Sequence, residues 1–219
     1  METDLLEAAS RFRDAMTHCD NLVTLHRDHG GPAQGRRDEE VSVNRAVIVI
    51  TVAAWQAAVQ EMALSALDAG EPGPGSPISP ATYGILAGVI RQQVSDFSTP
   101  NPENSRRLLV GVGFDPRSHW TWRQRGGRGL GVITVTPAEA ETRMREWLRL
   151  RHDIAHGHDR MSRVSVLQAV RDARSRSPQW SPQVRLVDAE ACMAFFRRIC
   201  QLTGDALARH LGQDSTAWH

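Results

Sequence analysis

Ionisable side chains are concentrated in residues 148–157, which read Leu-Arg-Leu-Arg-His-Asp-Ile-Ala-His-Gly. An imidazole suits proton transfer near neutral pH because its unperturbed pKa is about 6.5. An arginine carries a permanent charge and a fork of donors that matches phosphate oxygens. Arg151 and His156, with His152 and Asp153 between them, therefore form a candidate site for proton transfer beside a bound phosphate group.

Two other interpretations fit the same segment. The first is structural: arginine and histidine near the C-terminus of a helix interact well with its negative dipole end, although this leaves the apolar pair Ile154-Ala155 between the histidines unexplained. The second is a zinc hydrolase. His152 and His156 lie four residues apart, on one helix face, as in the HExxH pattern. Asp153 replaces the expected glutamate, however, and only His158 offers a further ligand downstream.

The spacing Arg151-x4-His156, with a polar residue after the arginine and a glycine after the histidine, resembles the R-x4–6-H signature of HEPN domains. These helical domains occur in many prokaryotic RNA-cleaving toxins, anti-phage systems and CRISPR effectors. The resemblance extends upstream and covers residues of about 40–212. Its further segments, which are similar to the RiboL-PSP-type branch, are Asn44-Arg45-Ala46-Val47 leading to Trp55-Gln56-Ala57, then 97–104, Leu108-Leu109, Gly113 and Asp115.

The resemblance implies a metal-independent endoribonuclease without a cofactor. His156 would be the acid/base, Arg151 would hold the phosphate, and His152 or Asp153 would orient these groups. Attack by the 2′-hydroxyl would leave a 2′,3′-cyclic phosphate or a 3′-phosphate and a 5′-hydroxyl. The expected setting is toxin–antitoxin, stress or phage defence, with an antitoxin or defence-system partner. Because some HEPN domains lack nuclease activity, the alternative is a non-catalytic RNA-binding or protein-interaction module.

Helix geometry adds a constraint on this pair. Five residues at roughly 100° each place Arg151 and His156 about 140° apart around an unbroken helix. Either the helix loosens before Gly157, or residues from two chains make up the site. HEPN relatives are typically dimers in which both motifs line one cleft, so we expect a homodimer.

A basic segment is a second candidate for RNA contact. Residues 101–187 contain 16 arginines and 8 acidic residues, whereas the remainder contains 10 arginines and 17 acidic residues. In the glycine-rich part of this segment, tryptophans could stack on bases while arginines follow the phosphates. The alternative is a loop attached to the bundle through its tryptophans, with its arginines in solvent. The candidate RNA-binding residues are Arg117, Trp120, Trp122, Arg123, Arg125 and Arg128.

Hydrophobic periodicity predicts that helices must position these residues. Thr136-Pro137-Ala138-Glu139 combines an N-cap hydroxyl, a first-turn proline and a glutamate at the third position, which predicts a helix that runs through Arg151 to a stop at Gly157. Residues 114–135 are expected to form an irregular loop or a short hairpin. The other predicted helices cover 4–28, 38–69, 81–96, 102–112 and a last stretch from Asp188.

Composition favours one domain over residues 1–219, since 41% of the chain is hydrophobic. The predicted helices indicate an all-α bundle, and the resemblance implies a HEPN-like bundle with its core at about 40–212. Trp55 and Trp147 are expected in the core. Cys19, Cys192 and Cys200 form an odd set without CxxC spacing, which fits a reduced cytoplasmic protein. No apolar stretch is expected to reach the roughly 18–20 residues that a membrane span needs.

Overall fold

The computed structural model describes residues 4–29, 36–98, 100–126, 131–172, 180–215 and 217–218. Within them the chain is mostly helical, and the predicted all-α class is confirmed. The elements are α1 (Leu5–His29), α2 (Arg36–Ala69), α3 (Pro80–Ser95), α4 (Pro102–Gly111), a 3-10 turn (Arg117–His119), β1 (Trp122–Arg125), β2 (Val132–Val135), α5 (Pro137–Ala155), α6 (Gln168–Arg171) and α7 (Leu186–His210).

The longest helix, α2, is the centre of the bundle. It packs against α1, α5 and α7, and it also contacts α3 and α4. Its β-branched run from Val47 to Val52 has strand propensity, but the residues lie in helix because burial against neighbouring helices outweighs local preference. Trp55 is fully buried and packs on Phe196 of α7, with ring centroids 5.1 Å apart. As expected, Trp147 is also in the core.

The start of α5 is fixed as its sequence predicts. Thr136 Oγ1 accepts the backbone N–H of Glu139 at 3.3 Å, and Glu139 Oε2 accepts the backbone N–H of Thr136 at 2.8 Å. This reciprocal capping satisfies donors that a helix N-terminus otherwise leaves unpaired. The capping bonds therefore fix the residue at which α5 begins, Pro137.

The hairpin predicted within 114–135 consists of β1 and β2, which pair antiparallel with Trp122 opposite Val135. The described residues also contain a helix that the sequence did not predict. Short α6 lies in the polar stretch after α5, where the fully buried carboxylate of Asp188 accepts the N–H groups of Gln168 at 2.7 Å and Arg185 at 2.9 Å. One side chain thus ties the start of α6 to the start of α7.

The expectation about apolar stretches is wrong for α2. Residues Asp38–Ala69 are long and apolar enough to cross a membrane by composition, and among the described helices only this one passes that test. However, 56% of its most apolar 18-residue stretch is buried inside the bundle, as in the core helix of a helical bundle.

The C-terminal segment closes one side of the bundle. Trp218 is fully buried and lies against Gly204 of α7, where an added Cβ would come within 2.0 Å of the indole nitrogen. Its ring also packs on Phe12 of α1 at 6.1 Å between centroids. Trp218 therefore joins α1 to α7 through a space that only glycine leaves open.

Candidate functional site

The site lies where α5 ends. His156 is the C-cap residue and Gly157 adopts a φ of +63°, which is costly for residues with a side chain. The Gly157 N–H donates to the carbonyl of Ile154 at 3.1 Å, and the His158 N–H donates to that of Asp153 at 3.0 Å. This is a Schellman motif. It folds the chain back, so that His158 lies beside the last turn of α5.

Asp153 is the buried anchor of this turn, and its carboxylate has two partners. Oδ2 accepts the backbone N–H of Ser162 at 2.7 Å, and Oδ1 lies 3.1 Å from Nδ1 of His158. Burial alone would raise the pKa of Asp153, but the hydrogen bonds from Ser162 and His158 outweigh it and lower the pKa below its ordinary value. Asp153 therefore stays ionised and holds both the returning loop and one imidazole.

Three imidazoles meet at this end of α5. The ring centroids of His152 and His156 are 4.2 Å apart, those of His152 and His158 are 5.6 Å apart, and those of His156 and His158 are 6.1 Å apart. All three side chains are exposed to solvent. The structure thus places His158 beside His152 and His156, and the carboxylate of Asp153 contacts His158.

Arg151 lies one residue before this cluster and is half-buried on α5. Its Nε is buried and has no hydrogen-bond partner among the residues that the structure describes. In the described part of the chain, no hydrogen bond or ion pair joins Arg151 to His156. The angular offset expected from helix geometry therefore persists, because α5 stays helical through Ala155.

Unused polar atoms also occur near the start of α2, on residues that carry the sequence resemblance. Asn44 is 3% exposed; its Nδ2 donates to the carbonyl of Val184 at 3.4 Å, while its Oδ1 has no partner among the described residues. Nε of Arg45 is likewise buried, with no partner in that part of the chain. Buried polar groups are normally paired, so each of these two atoms can take part in a further hydrogen bond.

The donor set bears on the zinc interpretation. Among the residues that the structure describes, no group of three or more histidine, cysteine, aspartate or glutamate side chains is arranged to hold a metal ion. The zinc-hydrolase alternative therefore has no three-ligand set in this part of the chain.

The candidate RNA-binding residues of the hairpin region do not form one exposed surface. Trp120 is 2% exposed and its indole N–H donates to Oγ1 of Thr203 at 2.9 Å, so its ring belongs to the core. Trp122 is half-buried and packs on Phe195 at 6.0 Å between centroids. This placement matches the alternative of a loop attached through its tryptophans.

The arginines of the same region are differently placed. Arg117 forms an ion pair with Glu141 at 2.6 Å, which balances its charge. Arg123 and Arg125 are exposed on β1. Arg128 lies outside the described residues. The exposed strand arginines remain available to a phosphate backbone, while stacking on Trp120 would require the core to open.

Two surface grooves lie away from the histidine cluster. One, of about 350 Å³, is lined by residues of α3 and α4 and of the segment between them, including Phe97, Asn104 and Arg107. The other, of about 380 Å³, lies beside the end of α7, with Phe114, His119 and His210 in its wall. Neither of these two grooves is lined by Arg151 or His156.

His158 is the residue that sequence reasoning missed, since it entered only as a conceivable further zinc ligand. The available signal was the order Asp153, Gly157, His158: a glycine that ends the helix allows the next side chain to return to the last turn.

Comparison of the chain with protein-family models, with curated proteins and with solved structures found no match.

Proposed function

We propose that the chain is a metal-independent endoribonuclease of the HEPN type. The observation that supports this best is the cluster of three imidazoles at the end of α5, directly after Arg151, whose buried Nε has no partner within the described ranges. Imidazoles transfer protons near neutral pH, and a guanidinium stabilises charge on phosphoryl oxygens. These are the two kinds of group that RNA transesterification requires.

In the proposed reaction an imidazole takes the proton of the 2′-hydroxyl while the 2′-oxygen forms a bond to phosphorus. The bond from phosphorus to the 5′-oxygen breaks, and the departing oxygen receives a proton from an imidazolium. The products are a 2′,3′-cyclic phosphate and a 5′-hydroxyl. His156 is an acid/base of this step, Arg151 holds the phosphoryl oxygens, and His152 and Asp153 orient the groups around them.

The proposed active form is a homodimer. Within one chain Arg151 is half-buried and His156 is exposed at the C-cap, and helix geometry sets them about 140° apart. A second copy that lays its own α5 end against this one would supply the missing guanidinium from the opposite side. Sedimentation is the test: the proposal predicts a dimer, and a monomer with undiminished ribonuclease activity would contradict it.

The reaction itself is tested with purified protein, labelled RNA and EDTA. We expect cleavage in EDTA, and we expect either Arg151→Ala or His156→Ala to abolish it. The control is His18→Ala, which removes an exposed imidazole on α1 and should leave the rate unchanged. Loss of cleavage on chelation alone would contradict the metal-independent mechanism.

The proposed setting is a cytoplasmic toxin–antitoxin, stress or phage-defence system in which the partner is an antitoxin or another defence component. Expression should therefore arrest growth unless an antitoxin is present, whereas the His156→Ala variant should be tolerated. If both proteins are equally tolerated, the toxin role is wrong even when cleavage is observed in vitro.

A second candidate, a non-catalytic interaction module, is favoured by the outer face of α3. Ile85, Leu86 and Val89 are 72%, 55% and 52% exposed, and the described part of the chain leaves open space beside Gly84 and Gly88. Residues 80–90 carry no charge, so this face suits the same face of a second copy. Ile85→Asp should then convert a dimer to a monomer; an unchanged sedimentation coefficient would reject this role for α3.

A further inference from the structure

We propose that His158 is the general base of the site and that Asp153 is its positioning residue, an inference that rests on the proposed ribonuclease function. The motif that carries the resemblance ends at His156 and assigns no role to His158. The structure nevertheless places His158 in the same cluster, because the left-handed turn at Gly157 returns the chain to the last turn of α5.

The first argument is the orientation of the ring. An ionised carboxylate only accepts hydrogen bonds, so the 3.1 Å contact from Asp153 Oδ1 to Nδ1 of His158 places the proton on Nδ1. Nε2 is then unprotonated in the neutral ring and can take a proton. The side chain of His158 is 48% exposed while that of Asp153 is 8% exposed. The anchor is therefore buried, and the ring that it holds remains accessible to RNA.

The second argument is the stability of the product of proton transfer. An imidazole that accepts a proton becomes a cation, and a buried carboxylate hydrogen-bonded to its other nitrogen both orients the ring and stabilises that cation. Of the three histidines in the cluster, only His158 has a hydrogen bond to a carboxylate in the described residues. This favours His158 as base and leaves His156 as the acid.

The third argument is separation. In an in-line displacement the base contacts the attacking oxygen and the acid contacts the leaving oxygen on the other side of phosphorus. Hydrogen-bond reach is roughly 2.6–3.2 Å on each side, so the two reaches alone require roughly 5–6 Å. The ring centroids of His156 and His158 are 6.1 Å apart, those of His152 and His158 are 5.6 Å apart, and those of His152 and His156 are 4.2 Å apart. His156 and His158 are therefore the most widely separated pair, and both pairs that include His158 leave more room than the pair of His152 and His156.

The balanced step assigns every proton. Nε2 of His158 takes the proton of the 2′-hydroxyl, the 2′-oxygen bonds to phosphorus, the bond to the 5′-oxygen breaks, and protonated His156 gives its proton to that oxygen. The enzyme ends with the two histidines in exchanged protonation states, and exchange with water restores them. No oxidant, reductant or metal enters the balance.

Two substrates separate the base from the acid. A diribonucleotide has a poor alkoxide leaving group that needs protonation, while uridine 3′-(4-nitrophenyl phosphate) releases a nitrophenolate that does not. We expect His158→Ala to lower kcat/KM on both substrates by about 10²–10⁴-fold. We expect His156→Ala to lower it on the dinucleotide and to keep most of the activity on the nitrophenyl ester.

The positioning role of Asp153 is tested by a double-mutant cycle with the Asp153→Asn variant, whose amide oxygen can still accept the Ser162 N–H. We expect Asp153→Asn to lower kcat/KM when His158 is present, because the carboxylate no longer orients that ring. In the His158→Ala background the same change should have almost no further effect, since the two residues act as one unit. A residue with a merely structural role would lower kcat/KM by a similar factor in both backgrounds.

His18→Ala is the matched control, and circular dichroism at the assay temperature verifies that each variant is folded. Full activity of His158→Ala on both substrates in EDTA, with an active wild type, overturns this assignment and leaves the proposed ribonuclease function standing. Rescue of His158→Ala, instead of His156→Ala, by the nitrophenyl ester also overturns it, since the roles would be reversed. A wild type inactive on both substrates and on RNA overturns the ribonuclease function and this inference with it.

Discussion

Replacing Asp153 by alanine removes the carboxylate that ties the loop after α5 to the last turn of that helix. Two hydrogen bonds are lost, from the Ser162 N–H at 2.7 Å and from Nδ1 of His158 at 3.1 Å. Hydrogen bonds to a charged partner contribute about 1.5–3 kcal/mol each, and the Ser162 N–H is left without its acceptor. Because His158 is exposed to solvent, we take one full bond and a small part of the second. The expected loss is about 2–3 kcal/mol.

Thermal unfolding followed by circular dichroism measures this loss. For a chain of this size, 1 kcal/mol corresponds to a Tm shift of about 2–4 °C, so the Asp153→Ala variant should melt about 4–12 °C below the wild type at pH 7. The control is Asp159→Ala, which removes an exposed carboxylate from the same loop and should change stability by less than about 0.5 kcal/mol. Equal Tm values for the two variants would refute the anchoring role.

The same variant has a pH signature. The pKa of Asp153 is lowered in the folded protein, so its ionised form is favoured by folding. The stabilisation is complete above the ordinary unfolded value of about 3.9 and is lost as the pH falls through the lower folded value. The difference in unfolding free energy between wild type and Asp153→Ala should therefore shrink as the pH falls below about 4. A difference that grows between about pH 4 and pH 2 would contradict this sign.

Three further outcomes follow from the packing. Gly157→Ala, at a φ of +63°, should cost about 1–2 kcal/mol, measured by urea unfolding, whereas Gly73→Ala, at an open position with ordinary φ, should cost almost nothing; equal costs would refute the turn argument. Burial raises the pKa of the thiols, so labelling by an aromatic disulfide reagent at pH 8 should be slow in the native protein and fast in denaturant; rapid native labelling would place a thiol at the surface. The cysteines concerned are Cys19, Cys192 and Cys200. Gly204→Ala should expel the Trp218 ring and shift its fluorescence to longer wavelength, and an unchanged spectrum would show that the ring adapts.

Local signals predicted most of the helix boundaries. Thr136 and Glu139 carry their capping information within four residues, and the structure realises the predicted bonds. Secondary-structure propensity alone would predict a strand at the β-branched residues Val47 to Val52 of α2. They lie in helix because they pack against neighbouring helices, and that packing depends on residues distant in the sequence.

The site was only partly predictable for the same reason. Arg151, His152, Asp153 and His156 are consecutive or nearly so, and a helix with a glycine stop brings the last three together. The return of His158 depends on a left-handed glycine and on a carboxylate whose other partner, Ser162, lies nine residues away. For Trp120 the sequence pattern predicted a functional role that the structure does not support. A tryptophan among arginines suggests a surface for stacking on bases, yet the indole of Trp120 is buried and donates to Thr203 of α7.

The contact between Trp218 and Gly204 also constrains how such a chain can vary. Any side chain at position 204 would occupy the volume of the indole, so positions 204 and 218 cannot be substituted independently of each other. Phe12 of α1 packs on the same ring, so the residue at position 12 also depends on the residues at positions 204 and 218. In a set of homologous chains these three positions should change together, and a glycine retained at 204 should coincide with an aromatic residue at 218.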